Sequence, residues 1–491
     1  MKATLRTSRM AARLHRTLGN LFSVLTLMWF ASGVVMVFWP YPYASAAERL
    51  ALVQPLLADD LPSTVAQTLW GPVRDGQTIR MYRGPDGSVL IRPDGYFDMH
   101  GTLVAESSAA VCQQYLQKAA PELQTSFKGV VSSVGQWTVA EHIRSRLPLY
   151  LYEGSTGDRH YLDPVGCVLV QHSTAAERFW AYFGAIPHWL YVAPLRQHRE
   201  IWRWLIIALS TVGLLVCCTG LYRGFTILRR KSGSRVPTSP ILRPTLRWHH
   251  LTGLAFGVLT FTWFLSGAMS LSPFDLSPKH PTFSEARKRF AVGTGLQSLQ
   301  TSPRQAYHAC LTTLPDVSLL ELIPVAGKPY YLCHSKHGTT RIVDGTRPGS
   351  TLAQEHFPTA LLQSGAAQVV PGAAFVATYM DRPDAYYYPD HQASLFEAPY
   401  LRISFKNPDA TTLYISPRSG TILRHLTTGQ RANRWLYHGL HSLDFPILYR
   451  NLKLWHVLIL ALLLGGIVLS VSAVALTKRP FRRTPHRRSN Q

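Results

Sequence analysis

His15, His188, His249 and His441 are the residues of this 491-residue chain best placed to do chemistry. Imidazole ligates transition metals and moves protons near neutral pH, and each of the four stands beside a long run free of Asp, Glu, Lys and Arg. The runs are Leu21 to Trp39, Trp204 to Tyr222, His249 to the residue before Asp275, and Leu454 to Thr477. His15 and His249 lie at the start of the first and third; His188 and His441 precede the second and fourth. His438, three residues before His441, and His456, one turn into the fourth run, are alternative or additional ligands, whereas His198 and His250 read as surface neighbours. No Gly-x-Ser-x-Gly elbow, His-Glu-x-x-His zinc motif, phosphate loop or dinucleotide fingerprint occurs. A hydrolase or a nucleotide-dependent enzyme is therefore the least supported class.

The four histidines are related by an internal repeat. A shift of 234 positions lays Arg13 to Gly33 over Arg247 to Gly267, with identity at Arg13/Arg247, His15/His249, Gly19/Gly253, Phe22/Phe256, Val24/Val258, Leu25/Leu259, Thr26/Thr260, Trp29/Trp263, Phe30/Phe264, Ser32/Ser266 and Gly33/Gly267. Shared hydrophobicity alone would not match His, Gly, Trp and Ser-Gly in register. A weaker match at an offset of 253 lays His188 over His441, Trp202 over Trp455 and Gly213 over Gly466; it places His456 opposite Arg203. Both copies then run in the same order, and two copies crossing a bilayer in the same sense imply a pseudo-two-fold axis along its normal.

Each charge-free run is long enough to cross a hydrocarbon core as a helix, which takes about 20 residues. The net charge of +23 is largely topological. Lys2, Arg6, Arg9, Arg13 and Arg16 precede the first run; Arg223, Arg229, Arg230, Lys231, Arg235, Arg243 and Arg247 lie between the second and third; Lys478, Arg479, Arg482, Arg483, Arg487 and Arg488 follow the fourth. If the runs alternate in direction these residues share one face, the positive-inside pattern, and they form no nucleic-acid module. The expected order is a cytoplasmic N-terminus 1–16, spans at 17–39, 201–222, 248–271 and 454–477, a basic loop 223–247, a basic tail 478–491, and two outer α+β domains at 40–200 and 272–453. Ala44-Ser45-Ala46 resembles a signal-peptidase site, but the preceding run exceeds a signal core and is repeated later in the chain.

In the first outer segment Ser107 to Lys118 has helical spacing, and Leu147 to Leu151 and Arg159 to Val170 alternate as strands around turns at Gly154 and Asp163-Pro164. The second is expected to repeat this order with a helix near Pro303 to Leu314 and strands near Ser318 to Ile323, Tyr330 to His334 and Thr340 to Val343, followed by a hairpin-like pair at Leu401 to Phe405 and Thr412 to Ile415. Cys112 and Cys167, and Cys310 and Cys333, are candidate disulfides, each pair on a predicted helix and a predicted strand; sequence does not fix pairing. Cys217 and Cys218, inside a span, read as packing residues.

An axis relating the copies brings His15 toward His249 at the cytoplasmic face and His188 toward His441 at the outer face. Each pair could offer two imidazoles to one planar cofactor, and haem is the obvious one. Trp29, Phe30, Trp263 and Phe264 could line a porphyrin, and Gly19, Gly253, Gly33 and Gly267 would give it room. The bland reading of any one of these histidines is an interfacial residue bonded to headgroup or backbone.

Arg13 to Gly33 and its copy, the strands Tyr161-Leu162-Asp163-Pro164 and Tyr414-Ile415-Ser416-Pro417, and the run Arg434-Trp435-Leu436-Tyr437-His438-Gly439-Leu440-His441-Ser442-Leu443-Asp444-Phe445-Pro446 together resemble the PepSY-associated transmembrane family. The resemblance covers essentially the whole chain. It implies a bacterial inner-membrane protein with four transmembrane α-helices as a tandem two-fold repeat, and two periplasmic α+β (PepSY-like) domains. That family includes ferric-siderophore reductases holding two b-type haems, so the resemblance implies His15, His249, His188 and His441 as ligands and a ferric siderophore as substrate. The first copy departs from the pattern, with Phe183-Gly184-Ala185-Ile186-Pro187-His188 in place of the Tyr-His-Gly-Leu-His form. Tyr386, Tyr387, Tyr388 and His391 are candidate substrate contacts whose alternative is a structural tyrosine-rich segment. The electron donor must be a separate protein or a quinol. The alternatives are a cofactor-free regulator or inhibitor of extracytoplasmic proteins, and a transporter subunit, for which the spans offer few ionisable groups.

Overall fold

The computed structural model describes residues 2–65, 78–87, 89–92, 95–228, 238–271, 282–293, 295–349, 352–389 and 396–477. The basic tail 478–491, residues 229–237 of the basic loop and His391 lie outside the described residues. The chain divides into two compact units.

The first unit is a bundle of four long helices: α1 (Lys2–Met36), α2 (Arg199–Ile227), α3 (Pro244–Met269) and α4 (Leu452–Thr477). All four are long and apolar enough to cross a membrane, so the protein is a multi-pass membrane protein. The α1 helix begins well before the span expected at 17–39, because Lys2 to Leu18 contains neither Gly nor Pro and is rich in Ala, Leu and Arg, which favour helix. It ends ahead of Pro40, a residue that cannot continue a helix. Pro244 opens α3 at a first-turn position, where its missing N–H costs nothing.

Around the bundle, α1 packs on α2 and α4, and α3 packs on α2 and α4. Glycines allow close approach. A Cβ at Gly466 would stand 2.2 Å from Phe30 of α1, and one at Gly213 would stand 2.4 Å from Phe264 of α3. Residues matched by the sequence repeat thus make matching contacts: Phe30 pairs with Phe264 at offset 234 and Gly213 with Gly466 at offset 253. Large-on-small packing of this kind drives helix association where lipid removes the hydrophobic incentive.

The second unit comprises Pro42–Phe179 and Leu276–Ala432. Its strands are β1 (Ile79–Arg83), β2 (Val89–Arg92), β3 (Thr125–Val131), β4 (Leu149–Gly154), β5 (Arg159–Leu162), β6 (Leu169–Ser173), β7 (Leu319–Val325), β8 (Lys328–His334), β9 (Thr340–Asp344), β10 (Phe375–Met380), β11 (Tyr400–Phe405), β12 (Thr412–Ile415) and β13 (Ile422–Leu426). They form three sheets, ordered β2-β1-β7-β8-β9, β3-β4-β5-β6 and β10-β11-β12-β13.

The first sheet joins the two outer segments. Ile79 lies across from Leu322 and Met81 from Leu320, all four are buried, and Leu56 and Leu61 share their core with Tyr307 and Val343. The segments 40–200 and 272–453, expected as two domains, therefore share a sheet and a core. The physical reason is that the β1–β2 hairpin cannot bury an apolar face alone.

The internal repetition also falls elsewhere than expected. The helix Ala109–Ala119 followed by β3 to β6 is matched by the helix Thr359–Val369 followed by β10 to β13. The ladder irregularities coincide as well, at Tyr161/Leu162 and Tyr414/Ile415. The helix Pro303–Leu311 packs instead on the first sheet, to which β7, β8 and β9 belong.

Both candidate disulfides are formed, Cys112–Cys167 and Cys310–Cys333. The turn expected at Asp163-Pro164 is present and ends β5, and Cys167, with φ of 50°, lies between β5 and β6 rather than on a strand as expected. In the bundle, Cys217 packs with Phe22 and Phe264, and Cys218 is exposed.

Candidate functional site

Two histidine pairs occupy the bundle. The rings of His15 on α1 and His249 on α3 have centroids 6.1 Å apart, inclined by 33°. His188, on the short helix Ala185–Trp189, and His441, on the short helix Leu440–Ser442, also have centroids 6.1 Å apart, inclined by 70°. The first pair lies at the end of the bundle that holds the N-terminus of α1 and the C-terminus of α4. The second lies beside the opposite ends of α1 and α3.

Each imidazole is held through Nδ1. His15 Nδ1 is 3.0 Å from the Val216 carbonyl, and His249 Nδ1 is 3.0 Å from Ser472 Oγ with the Leu469 backbone as a second partner. His188 Nδ1 is 3.1 Å from the Trp29 carbonyl and 3.2 Å from Ser32 Oγ. His441 Nδ1 is 3.0 Å from Ser266 Oγ, again with a backbone partner, Trp263.

A carbonyl only accepts, so Nδ1 of His15 and of His188 carries the proton and Nε2 keeps its lone pair. This arrangement fixes both the tautomer and the ring orientation of a metal-binding histidine. Val216 and Leu469 differ by 253, and Trp29/Trp263 and Ser32/Ser266 by 234, so matched residues hold matched histidines. Sequence reasoning named Trp29, Ser32 and their copies as repeat identities, yet missed this positioning role. The clue was available as a Trp-x-x-Ser pattern present in both copies.

The pairs fit a metal-centred cofactor on donor chemistry: each brings two imidazoles together, with ring centroids 6.1 Å apart. Among the described residues no group of three or more His, Cys, Asp or Glu side chains could hold a metal ion. Two imidazoles alone suit a metal whose remaining donors come with the cofactor, as in haem. Gly19 and Gly253 each follow a pair histidine by one helical turn. A Cβ at Gly19 would meet no atom within 4 Å, and one at Gly253 only Leu469, at 3.8 Å.

No family model and no curated protein matches this chain.

The remaining candidates are held by partners of their own. His438 is 3.7 Å from the Asp444 carboxylate and half exposed. His456 is half-buried on α4, its Nδ1 2.7 Å from the Leu452 carbonyl and its ring stacked on Phe38. His198 is exposed, as expected. His250 is not a surface residue: it is buried, with Nδ1 2.8 Å from Ser239 Oγ and Nε2 2.9 Å from the Gly224 carbonyl. The lack of a side chain at Gly224 admits α3 at that point, turning His250 toward α2.

Tyr387 and Tyr388 are buried. The Tyr386 and Tyr387 N–H groups both donate to Asp384 Oδ1, while Asp384 Oδ2 accepts from the Tyr414 hydroxyl at 2.8 Å and lies 3.3 Å from Arg402. These contacts favour the structural alternative for the tyrosine-rich segment.

Proposed function

We propose that the protein is an inner-membrane, haem-containing electron-transfer protein that reduces a ferric siderophore or other ferric chelate at the periplasmic face. The observation that carries this reading is the pair of Nδ1-anchored imidazole couples at opposite ends of one bundle. In this reading His15 and His249 hold one haem b, and His188 and His441 a second. A haem iron with two imidazole ligands exchanges one electron without changing its coordination.

The chain's own residues set the conditions for that exchange. Val216, Leu469, Trp29 and Trp263 hold the imidazoles as neutral Nδ1–H tautomers through their carbonyls. Trp29, Phe30, Trp263 and Phe264 exclude water from the bundle between the ends, which a helical rise over 17 residues from His15 to Ser32 separates by about 25 Å. Fe(III) in a chelate is the electron acceptor and substrate; as Fe(II) it is held more weakly and is released. The donor is a separate protein or a quinol.

The PepSY-associated resemblance, the tandem two-fold arrangement and the positive-inside charge pattern support the same orientation, with both termini cytoplasmic. The deciding experiment is a reduced-minus-oxidised visible spectrum of the detergent-purified protein, with haem per chain quantified. A low-spin b-type spectrum, halved in amplitude by His249→Ala or His441→Ala, supports the reading. A folded, haem-free protein from cells supplied with iron and haem rejects it and leaves a regulator acting through the outer segments.

A further inference from the structure

The helix Ala175–Phe183, which leads into the His188 segment, exposes Phe179, Trp180, Tyr182 and Phe183. At 100° per residue these four span about 160° of one helical face. The opposite face is occupied: Ala181 is fully buried, Arg178 donates to the Ser173 carbonyl at 2.6 Å, and Glu177 accepts from the Thr174 N–H at 2.8 Å. Four adjacent aromatics on one exposed face form an apolar patch of the kind that marks a membrane or protein contact.

Two contacts fix the depth of this face along the bundle. A Cβ at Gly184 would stand 3.0 Å from Val35 Cγ1, so the absence of a side chain brings the chain against the last turn of α1. Trp180 stacks on Trp39, just past the end of α1, with centroids 6.1 Å apart and planes 18° apart. The patch therefore sits level with the end of a span whose outward residues, Leu21 and Phe38 among them, are exposed apolar side chains. Tryptophan and tyrosine concentrate at that level of membrane proteins, where one edge of the ring meets hydrocarbon and the other meets water.

We infer that the helix Ala175–Phe183 lies in the bilayer interface with Phe179, Trp180, Tyr182 and Phe183 seated among lipid headgroups and upper acyl chains. The Trp39–Trp180 stack and the Gly184–Val35 contact join this face to the end of a membrane-spanning helix, which is what selects lipid over a protein partner. It belongs to the first copy alone. An offset of 253 places Ala432, Asn433, Trp435 and Leu436 at these four positions, and there Arg434 is buried, donating to the Asp444 carbonyl. The interface contact thus anchors the His188 side of the pair, while the His441 side is braced within the bundle.

The test is nitroxide labelling of Tyr182→Cys and Phe183→Cys in the full chain carrying Cys217→Ala and Cys218→Ala, reconstituted in phosphatidylcholine and phosphatidylglycerol vesicles. Collision rates with oxygen and with a water-soluble nickel chelate are read against Leu21→Cys and Ser126→Cys as lipid and water references. Both labels are expected to respond to oxygen as Leu21→Cys does, with at least a several-fold lower response to nickel than Ser126→Cys. Nickel accessibility equal to that of Ser126→Cys overturns the inference. So does protection from both reagents, which would mean a second copy or another protein covers the face.

Discussion

The bundle and the sheet unit treat the same internal repetition differently. In the bundle, matched positions repeat their chemistry: His15 and His249, Trp29 and Trp263, and Ser32 and Ser266 do equivalent things. In the sheet unit, matched positions have diverged. Cys167, at φ 50°, is disulfide-bonded to Cys112; Gly420, at φ 65°, occupies the same turn against Phe357 and Val325 with no bridge. His172 meets Glu48 at 2.8 Å, whereas its counterpart His425 is buried with neither ring nitrogen hydrogen-bonded. The lesson concerns where the copies meet. A pair site needs one residue from each copy, so a change in either destroys it, while two separate sheets can each settle their own interior.

The largest test of this contrast is to remove what only one copy carries. Closing a loop of 55 residues with Cys112–Cys167 lowers the entropy of the unfolded chain by the equivalent of about 4 kcal/mol, and the 23-residue loop of Cys310–Cys333 by about 3.5 kcal/mol. Replacing each pair by alanines is expected to destabilise the sheet unit by about these amounts, the first more than the second. Denaturant unfolding of the purified chain, followed by near-UV circular dichroism, measures both. Equal stability with and without Cys112–Cys167 would mean that the first copy, like the second, needs no bridge there.

A second test uses acid. Burial is the largest cause lowering the pKa of His160, which the neighbouring His172 lowers further; Asp158 and Glu48 oppose them, and the result is about 4. The unfolded chain takes up this proton near 6.5 and the folded chain does not. Stability is therefore full above pH 6.5 and declines as pH falls toward 4, by about 3 kcal/mol for this group. His425, also lowered by burial, declines in the same direction. His425→Leu is expected to stabilise the unit at pH 5 and His172→Leu to destabilise it, because only the second removes a hydrogen-bond partner from a carboxylate oxygen, Glu48 Oε1. The same response from both variants would erase the contrast between the copies.

The histidine pairs were legible in the sequence because they depend on register alone: equal offsets and equal places before charge-free runs. The extent of the sheet unit was not. Pairing of β1 with β7 joins Met81 to Leu320 across more than two hundred residues, and nothing in the alternation of either strand names its partner. The repetition near Pro303 to Val343 misled for a related reason. A helix followed by strands is a common local pattern, and the true counterpart at Thr359 to Leu426 was distinguished by a ladder irregularity that only the folded sheet shows. His250 looked exposed because its polarity suggested a surface, while its burial depends on Gly224 in another helix.

A third test asks whether the bundle's matched contacts cost the same to break. Alanine at Gly466 or at Gly213 drives a Cβ into Phe30 or Phe264, and overpacking of this kind costs about 1–3 kcal/mol. Near-equal losses in thermal unfolding in detergent are expected, each relieved by Leu at the facing Phe. A loss at only one site would show that the copies pack differently despite their matched residues.

The smallest effect is the most discriminating for the proposed cofactor. Ser32 and Ser266 stand within 3.2 Å and 3.0 Å of Nδ1 of His188 and His441, and the Trp29 and Trp263 backbones contact the same nitrogens. Removing one hydroxyl leaves the carbonyl in place, so the tautomer survives and only the ring's freedom to rotate increases. Loss of such an outer contact lowers metal affinity by about tenfold or more. Ser32→Ala and Ser266→Ala are each expected to weaken haem retention on dilution by roughly that factor at one end of the bundle, with the spectrum from His15 and His249 unchanged. Equal effects would mean that His188 and His441 bind one group together. A loss confined to Ser266→Ala would instead make His441 the principal ligand and His188 a bystander, extending to the bundle the divergence already evident in the sheets.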